Sequence, residues 1–203
     1  MMGDARRIIF IPYALADRAA YAKKAVSRFE CMGFECKAID EYKSAALALD
    51  CADALFVGGG NTFRLLKALH ELGLVEAIRR RIEQGMIYMG ASAGSNVACP
   101  TIRTTNDMPI VEPATLKALN LFPYQINPHY VDPDPDSRHM GETREERLLQ
   151  YLEENEGPVI GLREGAMLRM EGGKIHLKGL KGARMFKKNC SPEELLPPAE
   201  LNI

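Results

Sequence analysis

Through the first half of the chain, short runs of branched and aromatic residues alternate with longer helical patterns, and this alternation limits the fold more than any other feature. "RIIFIPYA" (Arg7 to Ala14) reads as a buried strand, and "DRAAYAKKAVSRFECMG" as a helix opened by Asp17 and closed by Gly33. "FECKAID" is a second strand, "KSAALALD" a short helix, and "ADALFVGGG" a third strand ending in three glycines. Asn61 can cap "TFRLLKALHELG", where Leu65, Leu66, Leu69 and Leu72 form an apolar stripe and Gly73 ends the helix. A further helix, "LVEAIRRRIEQG", leads into the strand "MIYMGAS". Strands separated by helices of this length imply right-handed crossovers and a mostly parallel sheet covered on both faces, an open α/β sandwich.

After Pro100 the pattern loosens into a long segment rich in Pro, Asp and Thr, and segments of this kind in compact domains are usually functional or disordered. Order returns with the helix "ETREERLLQYLEE", the strand "PVIGLRE" and a hairpin, "GAMLRMEGGKIHLKG", turning at Gly172 and Gly173. A length of 203 residues suits one domain, 1–203, and the last ~13 residues, within "NCSPEELLPPAELNI", read as a partly ordered tail.

Lys plus Arg number 26 against 27 Asp plus Glu with no block of like charge, so neither nucleic acid nor an anionic membrane is an expected partner. A small peptide or other small molecule is. The five cysteines form no CxxC pair and suggest reduced thiols, no zinc site is visible, and the N-terminus reads as neither signal peptide nor spanning helix. A soluble cytoplasmic protein, monomer or homodimer, is expected.

In open α/β sheets ligands bind beyond the carboxyl ends of the strands. Two turns there stand out. "FVGGGNTF" carries Gly58, Gly59 and Gly60 just before a helix, but Phe63 stands where a dinucleotide fingerprint needs glycine and no Gly-Lys-Ser/Thr follows, which disfavours phosphate. A tight turn and an oxyanion donor are the readings left. The second turn, "YMGASAGSNVACP", places Ser92 between Gly90 and Gly94, with Ala91 and Ala93 also small, between a strand and a short helical segment. That is the pattern of a nucleophile elbow, and also of a plain tight bend.

A serine nucleophile needs a base. His70 lies beside the leucine stripe, His176 in a late strand and His139 in the polar loop "DSRHMGE"; all three suit structural or solvated roles. His129, after the short strand "YQINP", is where a strand's carboxyl end would present a side chain, and is the best base. For the orienting carboxylate, Asp107 or Glu112 would follow the order of the α/β-hydrolases, while Glu164 stands at the end of "PVIGLRE" on the same edge as Ser92.

The blocks "VGGGNTF", "GASAGSNVACPTIRTTNDMPIVEP", "QINPHY", "GETREER" and "VIGLREG" occur in the order and at nearly the spacing of the peptidase E family, the aspartyl dipeptidases, which the chain resembles from about Arg7 to Gly165. The resemblance implies a serine peptidase on a three-layer α/β sandwich similar to the class I glutamine amidotransferase domain, working without metal or cofactor. It makes Ser92 the nucleophile, His129 the base and Glu164 the acid, with the N–H groups of Gly60 and Ala93 as the oxyanion hole. It also gives Arg144 of "GETR" the carboxylate of an N-terminal aspartate, which a guanidinium fork pairs bidentately. Asp107 and Glu142 are both candidates for the substrate's α-amino group. Members of that family open with an additional strand of the type "LLLLSNS", which has no counterpart before "RIIFIPYA".

The activity expected is hydrolysis of dipeptides with N-terminal aspartate through an acyl-enzyme. Two alternatives stand beside it: a cyanophycinase-type peptidase acting on β-linked aspartyl-arginine, and a catalytically silent binding protein on the same fold.

Overall fold

The computed structural model describes Gly3, residues 5–136, Arg138 and residues 140–201, so His139 lies outside the described residues. The chain divides into two compact units, one of residues 1–103 and 107–121, the other of residues 104–106 and 122–203.

The first unit is built on β1 (Arg7–Ile11), β2 (Glu35–Ala38), β3 (Ala54–Val57) and β4 (Ile87–Gly90), which form a wholly parallel sheet in the order β2-β1-β3-β4. Between them run α1 (Arg18–Cys31), α2 (Ala45–Cys51), α3 (Thr62–Glu71) and α4 (Leu74–Glu83). The side-chain alternation of β1 explains the layering. Ile8 and Phe10 pack on one face with Tyr21, Ala22, Ala25 and Phe29 of α1, while Ile9 and Ile11 join Leu49, Leu65, Leu69 and Ile78 from α2, α3 and α4 on the other. After the exposed Arg7, these four β1 residues are at most 1% exposed, so the strand from Ile8 to Ile11 is buried on both sides and has to be apolar without interruption. This is the three-layer α/β sandwich expected from the alternation of elements.

The helix ends follow the capping residues. Asp17 accepts from the Ala20 N–H, Ser44 from Leu47 and Asn61 from Arg64, each satisfying an N–H of the first turn that has no partner inside the helix. Gly73, at φ 63°, lets α3 turn directly into α4.

The second unit holds β5 (Gln125–Pro128), α6 (Arg144–Glu154), β6 (Val159–Leu162), β7 (Ala166–Glu171), β8 (Lys174–Gly179), β9 (Ala183–Phe186), β10 (Glu193–Leu195) and β11 (Ala199–Leu201). Its larger sheet has the order β10-β9-β6-β5, with β5 and β6 parallel and the other pairs antiparallel. The hairpin of β7 and β8 turns at Gly172 and Gly173 as expected, both at positive φ, and β11 adds to it. Residues expected to form a partly ordered tail therefore supply two strands. α6 starts one residue after Thr143, which forms a capping box with Glu146. Among the described residues there is no disulfide, and no helix is long and apolar enough to cross a membrane.

Candidate active site

In the parallel sheet Val57 is registered with Gly90, so the glycine turn after β3 and the serine turn after β4 leave neighbouring strands at the same carboxyl end. Ser92 has φ 55° and ψ −110°, a backbone conformation that a residue with a Cβ rarely adopts. Such strain persists where the surroundings enforce it, and here they do. A Cβ on Gly90 would stand 2.5 Å from the Gly94 carbonyl oxygen, and one on Gly94 2.2 Å from that of Val57. Both glycines are demanded by the closeness of the turn, and Ser92 is left projecting as the residue before α5 (Ala93–Ala98). Beneath it the Tyr88 hydroxyl donates to the Gly94 carbonyl at 2.6 Å, and burial pushes this phenol well above its ordinary pKa, so it stays a donor.

The glycine turn lies directly against Ser92. A Cβ on Gly59 would come within 3.0 Å of the Ser92 Cβ. Gly60, at φ 131°, has no room for a side chain, since a Cβ would sit 2.6 Å from the Ala14 carbonyl oxygen. Asn61 then donates its N–H to that same Ala14 oxygen at 2.9 Å. Ala93 is fully buried as the first residue of α5, where its N–H has no acceptor within its own helix. The elbow, the glycine turn and a helix N-terminus thus come together in one unit.

In the second unit Pro128 is registered with Leu162, so the segments carrying His129 and Glu164 also leave neighbouring parallel strands at one end. His129 takes a positive φ of 55°, and its Nδ1 hydrogen bonds to Glu164 Oε1. A carboxylate on Nδ1 selects the tautomer with its proton there and leaves Nε2 as the basic nitrogen. His70 instead contacts the Lys117 carbonyl through Nε2 at 3.0 Å. His176 is half-buried in β8.

Arg144 stands at the first turn of α6, and its Nη1 donates to Asn106 Oδ1 at 2.7 Å. Asn106 in turn accepts from Asn127 Nδ2 at 2.7 Å and donates to the Pro128 carbonyl at 2.7 Å, one residue before His129. Sequence reading passed over Asn106, although it lies within the block "TIRTTNDMPI" that carried the resemblance. Its neighbour Asp107 is already used: Oδ2 accepts from the Thr62 N–H at 2.7 Å and from Thr62 Oγ1 at 2.5 Å, at the N-terminus of α3. Glu142 accepts from Gln150 at 2.9 Å and pairs with Arg147 at 3.6 Å. Glu112, the other acid considered, is exposed in the loop of the first unit.

A serine held on a positive-φ elbow at the carboxyl edge of a parallel α/β sheet is the nucleophile architecture of a serine hydrolase. Peptidase family S51 matches residues 1–178. A protein of Streptomyces coelicolor called peptidase E is 52% identical over 196 residues, covering 97% of this chain and 81% of the relative. A Drosophila melanogaster protein named "Probable alpha-aspartyl dipeptidase" is 44% identical over 201 residues, 98% of this chain and 84% of the relative. The crystal structure of a peptidase from an acI-B1 Actinobacterium superposes with a TM-score of 0.73 over 98% of this chain and 85% of its own, at 16% identity, and so shares the fold. The chain belongs to peptidase family S51, and it is a serine-type peptidase.

Proposed function

We propose that this peptidase hydrolyses dipeptides with an N-terminal aspartate through an acyl-enzyme on Ser92. The observation that carries the reading is the backbone of Ser92, a non-glycine residue locked at φ 55° between two glycines that cannot be replaced, with the glycine turn against it. The name of the Drosophila relative, a probable alpha-aspartyl dipeptidase, supplies the substrate class.

In this mechanism Ser92 Oγ attacks the scissile carbonyl carbon while His129 Nε2 takes its proton. Glu164, on Nδ1, stabilises the imidazolium that forms. The carbonyl oxygen, now negative, is met by the N–H groups of Gly60 and Ala93, and the loss of one such donor typically costs on the order of 100-fold to 1000-fold in rate. The imidazolium gives its proton to the leaving amine, the second amino acid departs, and a water activated by His129 releases aspartate from the serine ester. Arg144 receives the aspartate side chain, and the hydrogen bond it donates to Asn106 Oδ1 fixes the guanidinium in place. The protein acts in the cytoplasm, where cysteine thiols stay reduced, as a monomer or homodimer.

Ser92→Ala should abolish hydrolysis of Asp-Leu while leaving the thermal transition cooperative. Retained hydrolysis in that variant would sink the proposal. A panel of X-Leu dipeptides, with X as Asp, Asn, Glu and Ala, tests the specificity, since an Arg144 left facing a neutral Asn is penalised. Comparing α-Asp-Arg with β-Asp-Arg separates this activity from the cyanophycinase type.

A further inference from the structure

The His129 and Glu164 side chains are 52% and 79% exposed, and a pair so open to water contributes little to fixing its own geometry. The segments that carry them are fastened elsewhere. Arg163 immediately precedes Glu164, and Asp132 stands three residues past His129. The Arg163 guanidinium donates from Nε to Asp132 Oδ2 and from Nη2 to Oδ1, both at 2.7 Å, a bidentate fork. Its other edge meets Glu194, Nη1 to Oε1 at 2.5 Å and Nη2 to Oε2 at 2.8 Å. The cation lies 5.8 Å from the centroid of the Tyr130 ring, and Tyr130, next to His129, donates its N–H to the Leu162 carbonyl. Arg163 is the buried member of the cluster, 18% exposed against 47% for each carboxylate, and Arg184 reaches Asp132 at 3.8 Å and Glu145 at 3.1 Å.

We infer that Arg163 is a positioning residue for the catalytic pair: its double fork to Asp132 and Glu194 sets the spacing between the segment bearing His129 and the one bearing Glu164. The inference rests on the role proposed for that pair. It differs from an ordinary surface ion pair in three respects. The cation is largely withdrawn from water, both carboxylates are held bidentately, and the two residues joined flank the two members of the pair. A lysine, with a point charge and no planar fork, cannot hold two carboxylates in fixed directions. Glu194 comes from β10, beyond residue 178 where the family match ends. β10 of this chain therefore holds one arm of the clamp.

The test compares Arg163→Lys, Arg163→Met, Glu194→Gln and Glu164→Gln for kcat and KM on Asp-Leu, for thermal stability, and for the downfield imidazole N–H resonance of His129 in proton NMR. Glu164→Gln should lose that resonance and thereby assign it. Arg163→Met and Arg163→Lys should lower kcat about 10-fold to 100-fold, the scale of a misplaced catalytic group, with KM within about twofold. Both should broaden the resonance at temperatures well below their own unfolding. Glu194→Gln, which leaves the Asp132 fork intact, should lower kcat about threefold to tenfold, and it carries the test should Arg163→Met fail to fold. Wild-type kcat with an unchanged resonance in the folded Arg163 or Glu194 variants, while Glu164→Gln is inactive, would overturn the clamp alone. Wild-type kcat in Glu164→Gln would overturn the role of the pair, and the clamp with it.

Discussion

Arg144 Nη1 and Asn106 Oδ1 are 2.7 Å apart, joining the start of α6 to the loop before β5 within one unit. The same oxygen accepts from Asn127, so Asn106 holds the proposed specificity arginine and the strand leading to His129 at once. A neutral acceptor suits this place, because it orients the guanidinium without neutralising it.

Asn106→Asp should therefore be worse than its small change in shape suggests. The new carboxylate would pair with Arg144 and compete with the substrate's own. We expect kcat/KM for Asp-Leu to fall by about 10-fold to 100-fold, the range of a hydrogen bond to a charged group. The preference for Asp-Leu over Asn-Leu should shrink with it, which initial rates on the two dipeptides would show.

Two glycines near Ser92 should respond differently to alanine. At Gly94 the added Cβ would meet the Val57 carbonyl oxygen at 2.2 Å, a backbone atom that cannot swing aside, and overpacking of this kind costs about 1–3 kcal/mol or more, so the melting temperature should drop sharply. At Gly59 it would meet the Ser92 Cβ at 3.0 Å, so Ser92, the proposed nucleophile, must shift by a few tenths of an ångström while the fold survives. Gly59→Ala should lose activity, by about 10-fold or more, at nearly unchanged melting temperature.

The residues legible in the sequence are those whose reasons are local. Asp17 and Asn61 cap because the orphan N–H groups lie within the next three residues, and Gly90 and Gly94 are glycine because their own turn has no space. Asn106 escaped notice because its partners, Asn127, Pro128 and Arg144, are 21 to 38 residues away and leave no periodic trace. The segment between Pro100 and β5 shows no pattern for a similar reason. Arg79 holds it through the Ala118 and Leu119 carbonyls at 2.6 and 2.7 Å. β10 and β11 are three residues long, too short to show alternation, and exist by pairing with β9 and β8.

Asp53 offers a pH test of the parallel sheet. Its carboxylate accepts from the N–H groups of Arg6 and Arg7 at 3.0 and 2.9 Å and pairs with the Arg7 guanidinium at 3.3 Å. The two backbone hydrogen bonds, and then the guanidinium, hold its pKa below the usual carboxylate value. A folded-state pKa below the unfolded one, about 3.9, means the stabilisation is present above that pH and is lost as pH falls through the folded value. Asp53→Asn should thus destabilise by about 1–2 kcal/mol at pH 7. Urea denaturation of both proteins should show the difference shrinking below about pH 4.

The carboxylates considered for the substrate's amino group separate on their partners. Asp107 completes the first turn of α3 through Thr62, where a negative charge also meets the positive end of the helix. Asp107→Ala should lower stability by about 1–3 kcal/mol through the lost cap and the hydrogen bonds it leaves unmade. Glu142 is exposed, two residues before α6, and bonds to Gln150 and Arg147 of that helix. Glu142→Ala should stay within about 0.5 kcal/mol of the parent. It should also keep the preference for Asp-Leu over N-acetyl-Asp-Leu, which reads recognition of the free amine. A loss of that preference in Glu142→Ala, at unchanged stability, would assign the amine to Glu142 instead.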